Sequence, residues 1–463
     1  MGRGGIALEW VSEFAGNGGP RYLQIVEFME QAISDERLKP GDRLPPQRLL
    51  AERLKVDLTT VTRAYTEARR RNLLEARGAA GTFIAAPRVD LVQAVDLSMN
   101  IPPPPAGIDL DDLLRQGVSQ VLIHSDVDLL MTYHLGGGSS ADRAAGAMWL
   151  QPMLGQVDAE RVLTCPGAQS ALAALILSQT RPGEAILAEP LAYPGLLTAA
   201  AQLERQVVAV ESDRDGMHPD ALEMMARKHR ARLVYLNPTL QNPTTHTMPA
   251  VRRAELAAAA EKLDLRIIED DPYWRFNPHA PRPLAYYAPR HVFYVSTLSK
   301  CLLPGLRTAY VAMPQSMPQE EVLGALRSFV LMSTPLMTAL TTQWIHDGTA
   351  AALLDGIRTE AWARQELAQR TLGDSKLAES GGIHIWKALP SHWRGADFVQ
   401  KARQEGLNVV SHEAFRVAPD DAPGAPAHIR ISLGRSRSRF ELVNALRRLA
   451  ELAHRRGQRE VVV

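Results

Sequence analysis

The stretch from Arg266 to Tyr310 constrains this chain most. It opens Arg-Ile-Ile-Glu-Asp-Asp-Pro-Tyr-Trp and closes Val-Phe-Tyr-Val-Ser-Thr-Leu-Ser-Lys-Cys-Leu-Leu-Pro-Gly-Leu-Arg-Thr-Ala-Tyr, with a loop-like passage between. Arg266–Ile268 and Val292–Val295 are short apolar runs of the kind that form buried parallel strands. In an open α/β sheet, ligands sit beyond the carboxyl ends of such strands. The first end carries Asp270 and Tyr273; the second carries Ser296, Thr297, Ser299 and Lys300, with Arg307 shortly after. An α/β fold with a ligand site along that edge is therefore expected.

These residue types suit pyridoxal phosphate. Its aldehyde forms a Schiff base with a lysine amine, so Lys300 is the candidate catalytic residue. Its pyridine nitrogen must stay protonated for the ring to draw electrons, which requires a carboxylate, here Asp270. Tyr273 offers a hydroxyl to the ring oxygen. Thr297, Ser299 and Arg307 offer hydroxyls and a guanidinium to the phosphate. The two cysteines, Cys165 and Cys301, cannot make a disulfide framework or a zinc knuckle, and no metal site is expected.

Asp-x-x-Tyr followed by Ser-x-x-Ser-Lys and a nearby Arg resembles the fold-type I aminotransferases, and the resemblance extends from about Leu97 to Leu449. Val162-Leu-Thr-Cys-Pro-Gly-Ala-Gln-Ser reads as a strand, a small-residue turn and a helix start, a phosphate site built on backbone N–H groups. It puts Gly167, Ala168 and Gln169 there. The resemblance further implies that Tyr193 lies against the pyridine ring and that Asn242, in Gln-Asn-Pro-Thr-Thr, meets the ring oxygen. Tyr133, before Gly136-Gly-Gly-Ser, would reach the phosphate across a dimer. Arg430, in His-Ile-Arg-Ile-Ser, would clamp a substrate carboxylate. Two departures from the family pattern are Asp142, where Leu usually precedes Arg143, and Thr245, where Gly is usual. Asn100-Ile-Pro-Pro-Pro-Pro resembles the family's extended segment over the substrate site. A smaller subdomain is expected from about 345 to 463, with a long helix ending near Leu377, strands at Gly381–Trp386 and Gly406–Val410, and a basic closing helix with a solvated face from Arg435 to Arg456.

Charge is uneven. The whole chain carries a net +1, yet positions 20–88 hold 13 basic and 9 acidic residues. A basic head on a neutral body points to nucleic acid. In that head Tyr22, Ile25, Val26, Met29 and Ile33 share a helical face, Gln47–Leu54 reads as a second helix, and a third starts at Thr59. Leu73–Arg77 and Thr82–Ala85 then read as strands around a Gly turn. This is the order of a winged helix-turn-helix. Gly41-Asp-Arg-Leu-Pro-Pro-Gln-Arg-Leu-Leu-Ala, Thr60-Val-Thr-Arg-Ala-Tyr and Gly81-Thr-Phe-Ile resemble the GntR family. That resemblance implies DNA contacts from Arg43, Arg48, Thr59, Thr60, Arg63 and Gly81. Where the family commonly has Ser-Arg before the recognition helix, this chain has Asp57-Leu58.

The expected organisation is a tail over 1–19, in which Leu8, Trp10, Val11 and Phe14 could pack, a DNA-binding head over 20–86, a linker over 87–97 and an aminotransferase-like body over 98–463. No run of apolar residues is long enough to span a membrane, and the start lacks an apolar signal core and a myristoylation pattern, so a cytoplasmic protein is expected. The two halves together resemble the MocR/GabR-like regulators. That resemblance implies a homodimer, each head near its partner's body, that binds operator DNA and senses a small amino compound through Lys300. The alternative is an active aminotransferase with an accessory DNA-binding head.

Overall fold

The computed structural model describes residues 10–11, 19–35, 37–71, 73–77, 81–85, 95–277, 279–373, 381–418 and 426–455. Most of the expected tail, the expected linker up to residue 94 and the hairpin tip at 78–80 lie outside the described residues.

The head is built from α1 (Arg21–Ser34), α2 (Gln47–Leu54) and α3 (Leu58–Arg70), followed by the antiparallel hairpin of β1 (Leu74–Ala76) and β2 (Thr82–Ile84). Its core takes Ile25, Val26 and Met29 from α1, Leu50 from α2 and Val61, Ala64 and Tyr65 from α3. Trp10 and Val11 of the expected tail pack into the same core. The Tyr65 hydroxyl donates to the Pro45 carbonyl at 2.7 Å, satisfying the polar end of a buried ring.

The body begins earlier than the sequence suggests. Val95 and Asp96 form β3, which pairs in parallel with β14 (Leu407–Asn408), and Leu97 is fully buried in the small subdomain. The alternation of Val95 and Leu97 toward one core explains why these residues are structure rather than linker.

The large subdomain is a seven-stranded sheet of β4 (Val162–Cys165), β5 (Ala185–Ala188), β6 (Gln206–Ala209), β9 (Leu233–Leu236), β10 (Arg266–Asp270), β11 (Val292–Thr297) and β12 (Ala309–Ala312). The spatial order is β4-β12-β11-β10-β9-β5-β6, and β12 alone runs antiparallel to its neighbours. A short hairpin, β7 (Ser212–Asp213) with β8 (Gly216–Met217), comes after β6. The two strands expected around Arg266–Ile268 and Val292–Val295 are adjacent and parallel, with Asp270 opposite Val295. Both run further than their apolar cores because Glu269, Asp270, Ser296 and Thr297 are buried in the sheet as well.

Helices α4 (Leu110–His124), α5 (Val127–Leu130), α6 (Ser140–Leu154), α7 (Ala168–Gln179), α8 (Pro194–Gln202), α9 (Pro219–His229), α10 (Ala250–Leu263), α11 (Leu284–Tyr287), α12 (Glu320–Arg327) and α13 (Pro335–His346) accompany the sheet. Two apolar cores contain residues of its strands, one including Leu187, Val234 and Ile267 and the other Ile186, Leu233 and Ile268. The alternate residues of each strand divide between them, as expected for a sheet buried on both faces. Asp142 has its own task. It completes a capping box with Ser139 at the start of α6 and accepts from Thr342 at 2.7 Å.

The small subdomain joins α14 (Thr349–Leu372), α15 (Gly395–Gln404) and α16 (Arg439–His454) to a sheet of β13 (His384–Ala388), β16 (His428–Ser432) and β15 (Val410–Ser411). The long helix runs to Leu372, capped by left-handed Gly373; its expected end near Leu377 lies outside the described residues. The strand expected from Gly381 starts at His384, because Gly381 and Gly382 both have positive φ. The strand expected over Gly406–Val410 divides: Leu407–Asn408 pairs with β3 and Val410–Ser411 with β16. The closing helix is not simply solvated, since Arg439 pairs with Glu360 at 2.7 Å and Phe440 packs against the head core. Within this chain the head thus rests on its own body. Among the described residues no helix is long and apolar enough to cross a membrane.

Phe293, fully buried on β11, anchors one of the sheet-side cores. Phe293→Ala is expected to cost about 3–5 kcal/mol of stability through lost burial and the cavity left behind. Thermal unfolding of the two proteins checks this; an unchanged melting temperature would contradict the packing described.

Candidate functional site

The carboxyl ends of β10 and β11 bring an acid and an amine together out of water. Asp270 ends β10 and is 5 % exposed. Its Oδ2 accepts from the Tyr235 hydroxyl at 2.8 Å, while Oδ1 is buried with no hydrogen-bond partner. Burial is the largest influence on this carboxyl and raises its pKa to about 7, against the lowering effects of the Tyr235 bond and of Lys300. Lys300 comes just after β11, and its Nζ donates to the Asn100 carbonyl at 2.6 Å. Burial, helped by Arg430 and Arg307, lowers the Lys300 amine to about 8, opposed by Asp270. Burial thus makes the neutral, nucleophilic amine far easier to reach near physiological pH than on an ordinary lysine.

Around this pair stand most of the other expected residues. Tyr273 is 1 % exposed, and its hydroxyl accepts from Asn100 Nδ2 at 2.7 Å. Asn242 Oδ1 accepts from Arg430 Nη1 at 2.8 Å, which ties β16 of the small subdomain to the large one. Arg430 also donates to the Ser98 carbonyl, lies over the Phe415 ring at 5.1 Å, and leaves its buried Nε without a partner. Tyr193, at the start of α8, lies within electrostatic reach of Asp270, Arg430 and Arg307.

A second cradle adjoins the first. Gly167 caps α7 with φ +89°, and a Cβ there would stand 2.6 Å from Arg307 Nη2. Only glycine admits the guanidinium so close to the helix N-terminus, where free N–H groups favour an anion. Ala168 begins that helix and Gln169 donates to the Gly195 carbonyl at 2.8 Å. Thr297 Oγ1 accepts from Ser299 N at 3.3 Å, and Ser299 Oγ is buried without a partner. Orphaned Asp270 Oδ1, Ser299 Oγ and Arg430 Nε, with a helix-end cradle, are donors and acceptors matched to a protonated ring nitrogen, a phosphate and a carboxylate. The residues fit pyridoxal phosphate. Tyr133 is not among them: it is 71 % exposed. Among the described residues no group of three or more His, Cys, Asp or Glu is placed to hold a metal.

Three residues at this site are not evident from sequence. Tyr235 lies inside the apolar strand Leu-Val-Tyr-Leu; a phenol in such a strand needs a buried partner, and that need is the available signal. Asn100 starts the proline run that the sequence places over the substrate site, but its bonds to Lys300, Tyr273 and His384 are not evident from it. His384 is 1 % exposed, and burial lowers its pKa to about 3, so it is neutral.

In the head, Arg48 and Thr59 are exposed and Thr60 is half-buried. Arg43 lies along the hairpin: it bridges Phe83, and a Cβ on Gly81 (φ +109°) would stand 3.2 Å from its Nε. Asp57 caps α3 without a side-chain bond, and Leu58 is its first, exposed residue. Arg63 differs from the others. It lies over the Tyr22 ring at 4.3 Å and pairs with Asp112 of the body at 3.2 Å and Asp109 at 3.5 Å.

A family model described as bacterial regulatory proteins, gntR family, matches residues 21–84. The chain is 31 % identical over 408 residues to YdeF of Bacillus subtilis (strain 168), an uncharacterized HTH-type transcriptional regulator, spanning 86 % of this chain and 87 % of that one. It is 27 % identical over 460 residues to the HTH-type transcriptional regulator TauR of Rhodobacter capsulatus, spanning 89 % and 93 %. The solved structure of Pyrococcus horikoshii kynurenine aminotransferase matches with a TM-score of 0.69 at 22 % identity, over 79 % of this chain and 92 % of that one, a likeness of fold. A gntR-type helix-turn-helix head on a fold-type I aminotransferase-like body defines a class of two-part, DNA-binding transcriptional regulators. This chain belongs to its MocR/GabR-like subfamily within the GntR regulators.

The low pKa of Lys300 is directly testable. Competitive acetylation with peptide mapping across the alkaline range is expected to show Lys300 reacting with a midpoint near 8. The reactive form is the unprotonated amine, so reactivity rises with pH through that value. A midpoint at the ordinary 10.5 would contradict the burial described.

Proposed function

We propose that this regulator binds pyridoxal phosphate and adjusts its hold on operator DNA in response to a small amino compound that carries a carboxylate. The observation that carries the reading is the buried Asp270 Oδ1, an ionisable oxygen left without a partner in the pocket that also holds Lys300 and Arg430. Such an atom is costly unless a ligand supplies the donor. When bound, pyridoxal phosphate supplies an electrophilic carbon and a ring that draws electrons.

The chain's own residues then have distinct tasks. Lys300 anchors the carbonyl carbon and can exchange for an incoming amine, burial having lowered the pKa of its own amine. Asp270, held by Tyr235, keeps the proton on the ring nitrogen. Tyr273 and Asn242 hold the ring oxygen, and Tyr193 lies against the ring. Gly167, Ala168, Gln169, Thr297, Ser299 and Arg307 hold the phosphate, with Tyr133 reaching it from a partner copy. Arg430 takes the effector's carboxylate as a bidentate pair.

A homodimer is supported by apolar side chains left in water along one stretch of the body. Ile123, Leu129, Met131 and Tyr133 are 57–73 % exposed. Several exposed apolar side chains on one stretch are what an interaction surface supplies. In the head, Arg43, Arg48 and Arg63 serve DNA phosphates and Thr59, Thr60 and Gly81 lie at the same surface, an arrangement that makes affinity salt-dependent.

Signalling depends on where the clamp sits. Arg430 belongs to the small subdomain and Lys300 to the large one, so a ligand that engages both favours one arrangement of the two. Couplings of this sort are typically about 5–150-fold in affinity. Arg430→Ala is therefore expected to keep the absorbance of the bound cofactor but to lose the response of DNA binding to amino acids. Gel shifts on the protein's own upstream DNA, with a panel of amino acids, check this. A mutant that still responds like the parent would reject Arg430 as the effector's clamp.

A further inference from the structure

The segment from Ser98 to Asp112 touches the buried site at one end and the DNA-binding head at the other. At its start the Ser98 carbonyl accepts from Arg430 and the Asn100 carbonyl from Lys300, the latter at 2.6 Å. The Asn100 side chain lies between the Tyr273 hydroxyl at 2.7 Å and His384 Nδ1 at 3.1 Å. The two basic groups of the ligand site, Lys300 and Arg430, are thus both held by backbone oxygens of one short stretch.

The middle of the segment is stiff. Ile101 leads into Pro102–Pro105, whose fixed φ and missing N–H groups leave little freedom to absorb a displacement. The body accepts this stretch closely. A Cβ on Gly434 would stand 1.7 Å from the Ile101 carbonyl oxygen, and one on Gly356 2.9 Å from that of Ala106. At the far end Asp109 caps α4 by accepting from Asp111 and Asp112 N–H groups. The same Asp109, with Asp112, holds the guanidinium of Arg63 on α3.

The head is seated lightly. A cavity of about 800 Å³ separates it from the body beside this segment. Charged pairs line it, among them Arg71 with Glu30 and Arg439 with Glu360. A polar seam of this kind permits one domain to move on another. Arg63 and Asp112 are both more than half exposed, and Asp109 is partly buried, so a competing anion can reach the guanidinium.

We propose that residues 98–112 act as a strap between the two sites: Asp109 and Asp112 hold Arg63 in competition with DNA phosphate, and that hold depends on the bonds of Ser98 and Asn100 in the ligand site. When Lys300 or Arg430 turns to a ligand, its bond to the strap is lost, the stiff segment shifts, and Arg63 is released. This rests on the proposed function, in which Arg63 serves DNA and Lys300 binds pyridoxal phosphate.

The test is a double-mutant cycle on the full chain, read as binding to a short mixed-sequence DNA duplex at one salt concentration. The variants are Asp109→Asn with Asp112→Asn, Arg63→Ala, and all three together. Asparagine keeps the α4 cap. The Asn pair is expected to tighten binding about two- to fivefold, the yield of losing exposed ion pairs. In the Arg63→Ala background the gain should vanish, whereas a general loss of negative charge would tighten both backgrounds alike and overturn the proposal. Pyridoxal phosphate should move the parent toward the affinity of the Asn pair and leave that pair unmoved; an equal response in both would also overturn it. If Arg63→Ala by itself changes nothing, the DNA role of Arg63 has failed and the strap falls with it. If Arg63→Ala weakens binding but the Asn pair has no effect, the strap alone is rejected.

Discussion

Holding an amine and a carboxylate out of water at the carboxyl edge of one sheet is the constraint on which this body depends. Neither Lys300 nor Asp270 is buried cheaply, and the fold answers with few and specific partners. Tyr235 takes one oxygen of Asp270, the Asn100 carbonyl takes the Lys300 amine, and Asp270 Oδ1 stays bare. The resulting amine of low pKa and bare acid are what a carbonyl cofactor with a basic ring nitrogen requires.

The same constraint links the subdomains. Arg430 is carried by β16, but its partners are Asn242 of the large subdomain and Ser98 at the start of the body. His384, on the neighbouring strand β13, meets Asn100. A change at the ligand site therefore acts on contacts between layers rather than within one. The head adds a third body, seated through Phe440 and the Arg63 pairs.

Much of this was legible in the sequence because the chemistry is local. Asp270, Tyr273, Thr297, Ser299 and Lys300 lie at the ends of two apolar runs, and strand geometry alone brings those ends together. The helices of the head were legible from apolar spacing, and Gln47–Leu54 is found with the same bounds. What was not legible depends on distant pairing. Val95 and Asp96 read as linker until Leu407 and Asn408 are seen beside them. Tyr235 reads as strand filler until Asp270 is seen opposite its hydroxyl. Arg63 reads as a free DNA contact, because nothing in the spacing announces Asp109 and Asp112, 46 and 49 residues away.

Lys300 as the anchor of the cofactor is the claim on which the rest depends. The most direct measurement is to reconstitute the protein with pyridoxal phosphate, reduce it with borohydride and map the labelled peptide. A visible chromophore before reduction and a phosphopyridoxyl label on Lys300 are expected. No chromophore, or a label on a different lysine, would contradict that role.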